Sequence, residues 1–493
     1  MNPDRVEPEL PEREEPPAME RTMTWRDAFS LAVTLPASAL AIIGYSTGAL
    51  GAWGALAIWG VASLIALLQN FLYAELASVF PRKPGGIALY AHEAWKRYFS
   101  PIGALASVGY WAGWSFALAF NGLALGSLAK AQWFASADWT FSTGLATVGL
   151  EHLIAAVCVV IVWLLNVFGI RPAVRVSYVI NLLALAVLAI VIVVPIVSGD
   201  LDLGALTWGL GDQGASPFVV ACVWLFLAGW TVYGTEIAAT FSPEYRDARR
   251  DTPRALLSSS GFALVIFMVV PVMSAGVVGE QAIADDPIGF NVALFDQLLG
   301  GGSWIVVVAL CLALLNLMSV ATADGGRALY GMARDGLTVR QLDRVNRFHV
   351  PGRAMTVALV INLGLVFFVG DLLGIVFAAN LGYFFAVVAA TSGYVLLRRG
   401  PNPPPRTYRL PGVWVVIAAG LAVMNLTFLV VAATHPSLAG YGGLKEVVIG
   451  IGVLAIGLAL FAYRRVVQDR TGLRLREREP VGEAEPPTLS RAE

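Results

Sequence analysis

Apolar runs of about twenty residues recur along the whole chain, and no other feature of the sequence narrows its possible folds as much. Twelve of them lie near residues 27–45, 54–79, 102–129, 150–168, 174–197, 218–241, 255–278, 304–330, 354–369, 372–397, 413–433 and 444–463. A helix crossing the ~30 Å hydrocarbon layer needs ~20 mostly apolar residues. The runs are rich in Leu and Ala and lack the alternation of barrel strands. The expected fold is therefore all-α and integral to a membrane, with twelve transmembrane helices. Composition agrees, since 57% of the 493 residues are hydrophobic and 14% charged. A soluble domain has ~45–50% apolar and ~25% charged residues. Too little polar surface exists here to cover such a core in water.

The charges orient the runs. Lys83, Lys96 and Arg97 fall between runs two and three, and Arg246, Arg249, Arg250 and Arg254 between six and seven. Arg334, Arg340, Arg344, Arg347 and Arg353 separate runs eight and nine, and Arg398, Arg399, Arg406 and Arg409 separate ten and eleven. The alternate connections hold only Lys130 and Lys445. By the positive-inside rule both termini are expected in the cytoplasm. Residues 1–23, rich in Pro and Glu and without an apolar core, read as a disordered cytosolic tail rather than a signal peptide. Residues 464–493 read as a second charged tail. A formal net charge of −1 gives no electrostatic case for nucleic acid. Cys158, Cys222 and Cys311 sit inside apolar runs without metal-ligand spacing and read as packing residues.

Two runs carry interruptions in matching places. In the first, Pro36 precedes Ala37, Ser38 and Ala39, and a proline within a helix removes one hydrogen bond and clashes with the preceding turn. In the sixth, Ala228-Gly229-Trp230 leads on to Gly234. Secondary transporters often bind substrate at midplane between inverted halves whose first helices are broken. Amides freed at a half-helix N-terminus suit a carboxylate, and small residues allow close approach to backbone. The backbone around Ala37, Ser38 and Ala39 is thus expected to hold a substrate carboxylate, and the carbonyls of Ala228 and Gly229 an ammonium. A side chain placed at Gly229 is expected to fill this site. The Ser38 hydroxyl either adds a donor or bonds back to its own helix.

Three stretches carry a family resemblance. They are Tyr73-Ala74-Glu75-Leu76-Ala77-Ser78-Val79-Phe80-Pro81 followed by Gly85-Gly86 and Tyr90, then Glu236 with Pro243-Glu244-Tyr245-Arg246-Asp247, and Arg327-Ala328-Leu329-Tyr330-Gly331-Met332-Ala333-Arg334-Asp335-Gly336. With these motifs the chain resembles the amino acid–polyamine–organocation (APC) superfamily of permeases. The resemblance implies a five-plus-five inverted repeat with broken helices 1 and 6, over residues 24–200 and 217–399. Two further helices would then occupy 410–463, with alternating access around a central site. It also places Trp230 at an aromatic position that stacks over substrate in arginine/agmatine exchangers. Where the family usually has Gly-Ser-Gly, this chain has Ala37-Ser38-Ala39.

Glu236 lies in the second half of the sixth run, where an ionised carboxylate costs at least ~2.5 kcal/mol. It reads either as a proton-linked gate or attractor of a cationic group, or as a structural hydrogen-bond node. Glu75 reads as a gate or loop anchor, and Arg327, Arg334 and Asp335 likewise. Proton-coupled relatives carry a lysine in the fifth helix, but the matching position here is Ala184. Ser319 and Thr322 are alternative oxygen donors for sodium, with small-residue helix packing as their other role.

The expected function is secondary transport of an amino acid or related amine across the plasma membrane. The implied partners are a small-molecule substrate and membrane lipid, with no cofactor beyond a coupling ion, proton or sodium. Transport of other organic cations or polyamines, or a transport-deficient sensor, are the alternatives. The four histidines lie at run ends or in loops, so no catalytic cluster argues for an enzyme. Gly122-x-x-x-Gly126 marks a possible tight helix contact. Gly209-x-Gly211-x-x-Gly214 matches a dinucleotide fingerprint but lies in an outer loop without the required strand and helix.

Overall fold

Hydrocarbon offers no hydrogen-bond partner, so backbone groups in a membrane must pair within their own helix. The apolar runs fold accordingly. The computed structural model describes residues 21, 23–33, 35–81, 83, 85–168, 173–211, 213–400, 404–440 and 442–477, with the side chains of 31–39, 41, 173–177 and 243 outside that description. The helices are α1 (Trp25–Val33), α2 (Leu35–Val79), α3 (Gly86–Phe99), α4 (Pro101–Ser115), α5 (Ala117–Trp133), α6 (Leu150–Val167), α7 (Ala173–Ser198) and α8 (Pro217–Tyr233). They continue as α9 (Ala248–Val278), α10 (Glu280–Asp285), α11 (Phe290–Leu299), α12 (Ser303–Arg334), α13 (Gly352–Gly364), α14 (Leu372–Arg399), α15 (Trp414–Thr434) and α16 (Leu444–Tyr463). A two-residue hairpin, Phe141–Ser142 with Thr147–Val148, lies between α5 and α6.

Among the described residues, eleven helical stretches are long and apolar enough to cross a membrane. The difference from twelve arises in α2, which takes in both of the first two runs. Gly51 inside it is non-helical (φ 69°, ψ 165°). The Trp59 indole donates to Ser46 Oγ at 2.9 Å, 13 residues earlier, whereas a straight helix would separate them by about 20 Å. The chain therefore folds back at Gly51. A Cβ there would lie 2.5 Å from the Thr207 carbonyl oxygen, so only glycine fits both the conformation and the space.

Of the two expected interruptions, the first lies beside a helix boundary and the second where α-helix gives way to a 3-10 turn. α1 ends at Val33 and α2 begins at Leu35, with Thr34 outside the described residues. Pro36 stands in the first turn of α2, where a missing amide leaves no bond unmade. α8 stays α-helical through Ala228 and Gly229 and changes to a 3-10 helix only at Gly234–Ala239. An unforeseen break lies in the third run, between α4 and α5 at Phe116. There the Ala119 amide donates to Asn362 Oδ1 of α13 at 3.0 Å instead of to a helix carbonyl.

α4, α5, α8 and α14 form the buried middle of the molecule, and α6, α7 and α16 present apolar side chains such as Leu182, Val197 and Ile456 outward. α4 and α14 meet backbone to backbone, since a Cβ on Gly109 would lie 2.2 Å from the Gly382 carbonyl oxygen. Gly126 makes a similar approach to the Glu151 carbonyl of α6, at 2.2 Å for an added Cβ, so the Gly122/Gly126 pair serves a contact within the chain.

Residues 464–477, expected to form part of a solvated tail, pack on the molecule. Arg464 donates to the carbonyls of Ala333 (3.1 Å) and Thr338 (3.2 Å). Asp469 bridges Arg464 (2.8 Å) and Arg340 (2.6 Å). Farther on, the Glu477 amide donates to the Lys96 carbonyl at 2.8 Å, and its carboxylate accepts from Ser100 Oγ and Arg465. The charged residues of this segment find fixed partners at helix ends, which composition alone does not reveal.

Candidate functional site

The change of helix type at Gly234 sits beside a small internal chamber. Gly113, Trp114, Ala117, Asn121, Trp230, Thr231, Gly234, Leu317 and Tyr383 line it, so α4, α5, α8, α12 and α14 all contribute. Its space for the centres of water molecules is about 30 Å³, enough for roughly two waters.

Trp230 closes one side. Its indole donates to the Gly113 carbonyl at 2.9 Å, and its ring meets Phe120 edge to face with centroids 4.8 Å apart. The break between α4 and α5 thus places a carbonyl where a half-buried tryptophan uses it. This contact holds α8 against the third run while leaving the indole face beside the chamber.

Glu236 lies one layer behind, 1% exposed, in the 3-10 turn after Gly234. Trp114 Nε1 and Tyr383 Oη each donate to its Oε1 at 3.2 Å. Its Oε2 has no hydrogen-bond partner. That oxygen faces Gly86 at the start of α3, where an added Cβ would lie 3.6 Å away. Two rings that line the chamber therefore also grip the carboxylate. A change in its charge or in either ring is felt by the other.

Of the sequence-derived candidates, Trp230 and Gly234 line the chamber and Glu236 adjoins it. Ala228 is buried in regular helix outside the lining. Gly229 faces α14, because a Cβ there would lie 2.5 Å from Phe384 Cζ. A larger residue at Gly229 would push α8 from α14 rather than fill the chamber. The side chains of Pro36, Ala37, Ser38 and Ala39 lie outside the described residues. Gly113, Trp114, Ala117, Asn121, Leu317 and Tyr383 were not anticipated, whereas Thr231 falls inside the interrupted stretch 228–234. The lining residues stand on several elements and share no sequence spacing that would join them.

The remaining candidates lie elsewhere. Glu75 is fully buried and accepts from Arg398 (2.9 Å), Arg406 (2.6 Å), Tyr394 Oη (2.8 Å) and the Leu410 amide (2.9 Å). It anchors the α14–α15 connection to the end of α2. Arg327, Arg334 and Asp335 are exposed at the end of α12, with Arg334 over the Tyr330 ring at 5.9 Å. Ser319 Oγ accepts from Asn166 of α6 at 3.0 Å, and Thr322 Oγ1 donates to the Met318 carbonyl at 2.8 Å. Both hydroxyls bond within the protein, as their helix-packing role requires, and each oxygen keeps a lone pair beyond these bonds.

The family profile described as Amino acid permease matches residues 23–456. The chain belongs to the amino acid permease family. It falls within the APC superfamily and is a multi-pass membrane transporter. The permease is 25% identical over 437 residues to an uncharacterized transporter of Mycobacterium tuberculosis, covering 88% of both chains. It is 24% identical over 400 residues to the branched-chain amino acid permease BcaP of Bacillus subtilis, covering 78% of this chain and 82% of that one. A cadaverine/lysine antiporter of Escherichia coli is 24% identical over 312 residues, with 62% and 66% covered.

Proposed function

We propose that this permease moves an amino acid or related amine across the plasma membrane by alternating access, with both termini in the cytoplasm. The observation that carries the reading is the chamber at the α8 helix transition, walled by Trp230 and backed by Glu236. The chamber is buried among the most enclosed helices, and Trp230 forms one of its walls, bonded to Gly113 of the third run. Entry of a substrate larger than two waters therefore requires this aromatic wall to move, which is the behaviour of a gate rather than of an open pore. Relatives whose names are those of an amino acid permease and a cadaverine/lysine antiporter support the same reading.

The proposed coupling is to protons through Glu236. Trp114 and Tyr383 donate to it, and among the described residues no cation pairs with it, so the carboxylate stays in the membrane interior more readily when protonated. Uptake of a labelled amino acid panel into proteoliposomes, with proton and sodium gradients imposed separately, tests both points. The expected result is saturable uptake driven by a proton gradient and unchanged by sodium, with Glu236→Gln retaining binding but losing the response to the gradient. Sodium-driven uptake would overturn the coupling, and folded protein that transports none of the panel would overturn the function.

A further inference from the structure

Two polar atoms in the chamber wall have no protein partner. Thr231, 3% exposed, carries an unbonded Oγ1. Asn121, fully buried, donates its amide nitrogen to the Ala117 carbonyl at 2.7 Å and leaves Oδ1 unbonded. Because the amide nitrogen is committed to a carbonyl, the free atom is an acceptor. The Thr231 hydroxyl can both donate and accept. Buried polar atoms are rarely left unpaired, because a lost hydrogen bond to water is not replaced. Their position on the lining points to a ligand that pairs with them.

The lining also sets the charge of that ligand. None of the described lining residues is Asp, Glu, Lys, Arg or His. Glu236, the carboxylate behind the wall, has Oε1 held by Trp114 and Tyr383, and its free Oε2 faces Gly86, which is not part of the lining. A substrate ammonium or guanidinium inserted here would be desolvated with no charged residue in the lining to pair with it. A hydroxyl has the complementary chemistry for both orphan atoms, since it can donate to Asn121 Oδ1 and accept from Thr231 Oγ1. Leu317 and Ala117 supply the apolar wall beside it, and the space suits a hydroxyl and a methyl group.

We propose that the chamber binds an uncharged substrate side chain bearing a hydroxyl, so that the permease selects serine and threonine over aliphatic isosteres and over cationic amino acids. This selection rests on the amino acid transport proposed above. A site built to hydrogen-bond a hydroxyl rejects the analogue lacking it, because the site's own polar groups are then left unpaired.

The test is uptake of labelled threonine, valine and lysine at equal concentration by the full chain in proteoliposomes. Threonine and valine have nearly the same shape, so their ratio reports the hydroxyl alone. The expected threonine-to-valine ratio is tenfold or more, with lysine at background. The Asn121→Leu, Thr231→Val double variant should bring the ratio close to one, whereas Thr231→Ser alone should keep it, with thermal melting confirming that each variant is folded. Valine uptake equal to that of threonine, preferential lysine uptake, or a double variant that keeps the preference would each overturn the selection while leaving amino acid transport in place. Folded protein that takes up none of the three overturns the transport reading and this selection together.

Discussion

Trp230 is the residue on which the chamber most depends, since it contacts both Gly113 and Phe120 and forms part of the lining. Trp230→Ala removes the indole bond and opens one wall, so the half-saturation constant for uptake should rise by about tenfold, corresponding to ~1.4 kcal/mol, while the yield of folded protein stays near normal. Unchanged saturation would remove Trp230 from the site. Glu93 makes a different residue-scale prediction. Burial works to raise its pKa, but hydrogen bonds from Lys83 and Lys96, with both ion pairs at 2.8 Å, hold it below the ordinary value of 4.5. A depressed carboxylate stabilises the fold above its unfolded value and loses that contribution as pH falls through the folded one. Glu93→Gln should therefore lower the melting temperature at pH 7 and flatten its decline below pH 4.5. Parallel melting curves for the two proteins across this range would refute the assignment.

At the scale of elements, contacts between glycines decide how closely helices approach. Gly109 and Gly382 let α4 and α14 touch through backbone, and α4 carries Gly113 and Trp114 while α14 carries Tyr383. Gly109→Leu should destabilise the protein by about 1–3 kcal/mol or more through overpacking, and should also lower uptake because two chamber walls move apart. Thermal unfolding in detergent and uptake at a matched amount of folded protein measure the two effects. Full stability in the variant would show that the helices are not in contact. The apolar periods along α4 and α14 gave no sign of this pairing, because any small residue on a membrane helix is compatible with many neighbours. The sequence did indicate that Gly122 and Gly126 mark a tight contact, and α6 is the partner. The fold-back at Gly51 was legible as a gap between two apolar runs, though not as a single positive-φ glycine.

For the molecule as a whole, the segment 464–477 ties together helix ends that are distant in sequence. It reaches Lys96 and Ser100 at the α3–α4 junction and Ala333, Thr338 and Arg340 after α12. Asp469→Ala removes the bridge between Arg464 and Arg340 and should cost about 1 kcal/mol. It should also speed trypsin cleavage at Arg470 and Arg474 in the intact protein, while a cleavage rate equal to that of the unaltered chain would show that the segment is held by other contacts. If the termini are cytoplasmic, these sites should be cut only in inside-out vesicles.

Apolar run length determined the membrane-embedded helical class of this protein, because hydrocarbon leaves a backbone no alternative to internal hydrogen bonds. Three short motifs were enough to place it among the permeases. Trp230, Gly234 and Glu236 could be picked out beforehand because breaks, aromatics and intramembrane carboxylates are conspicuous against an apolar background. Only the tertiary structure brought Asn121, Thr231, Leu317 and Tyr383 to one chamber and turned Gly229 toward Phe384. Which face of a membrane helix meets which neighbour depends on rotation and close approach, and lipid-like side chains on every face leave that undetermined until the helices pack.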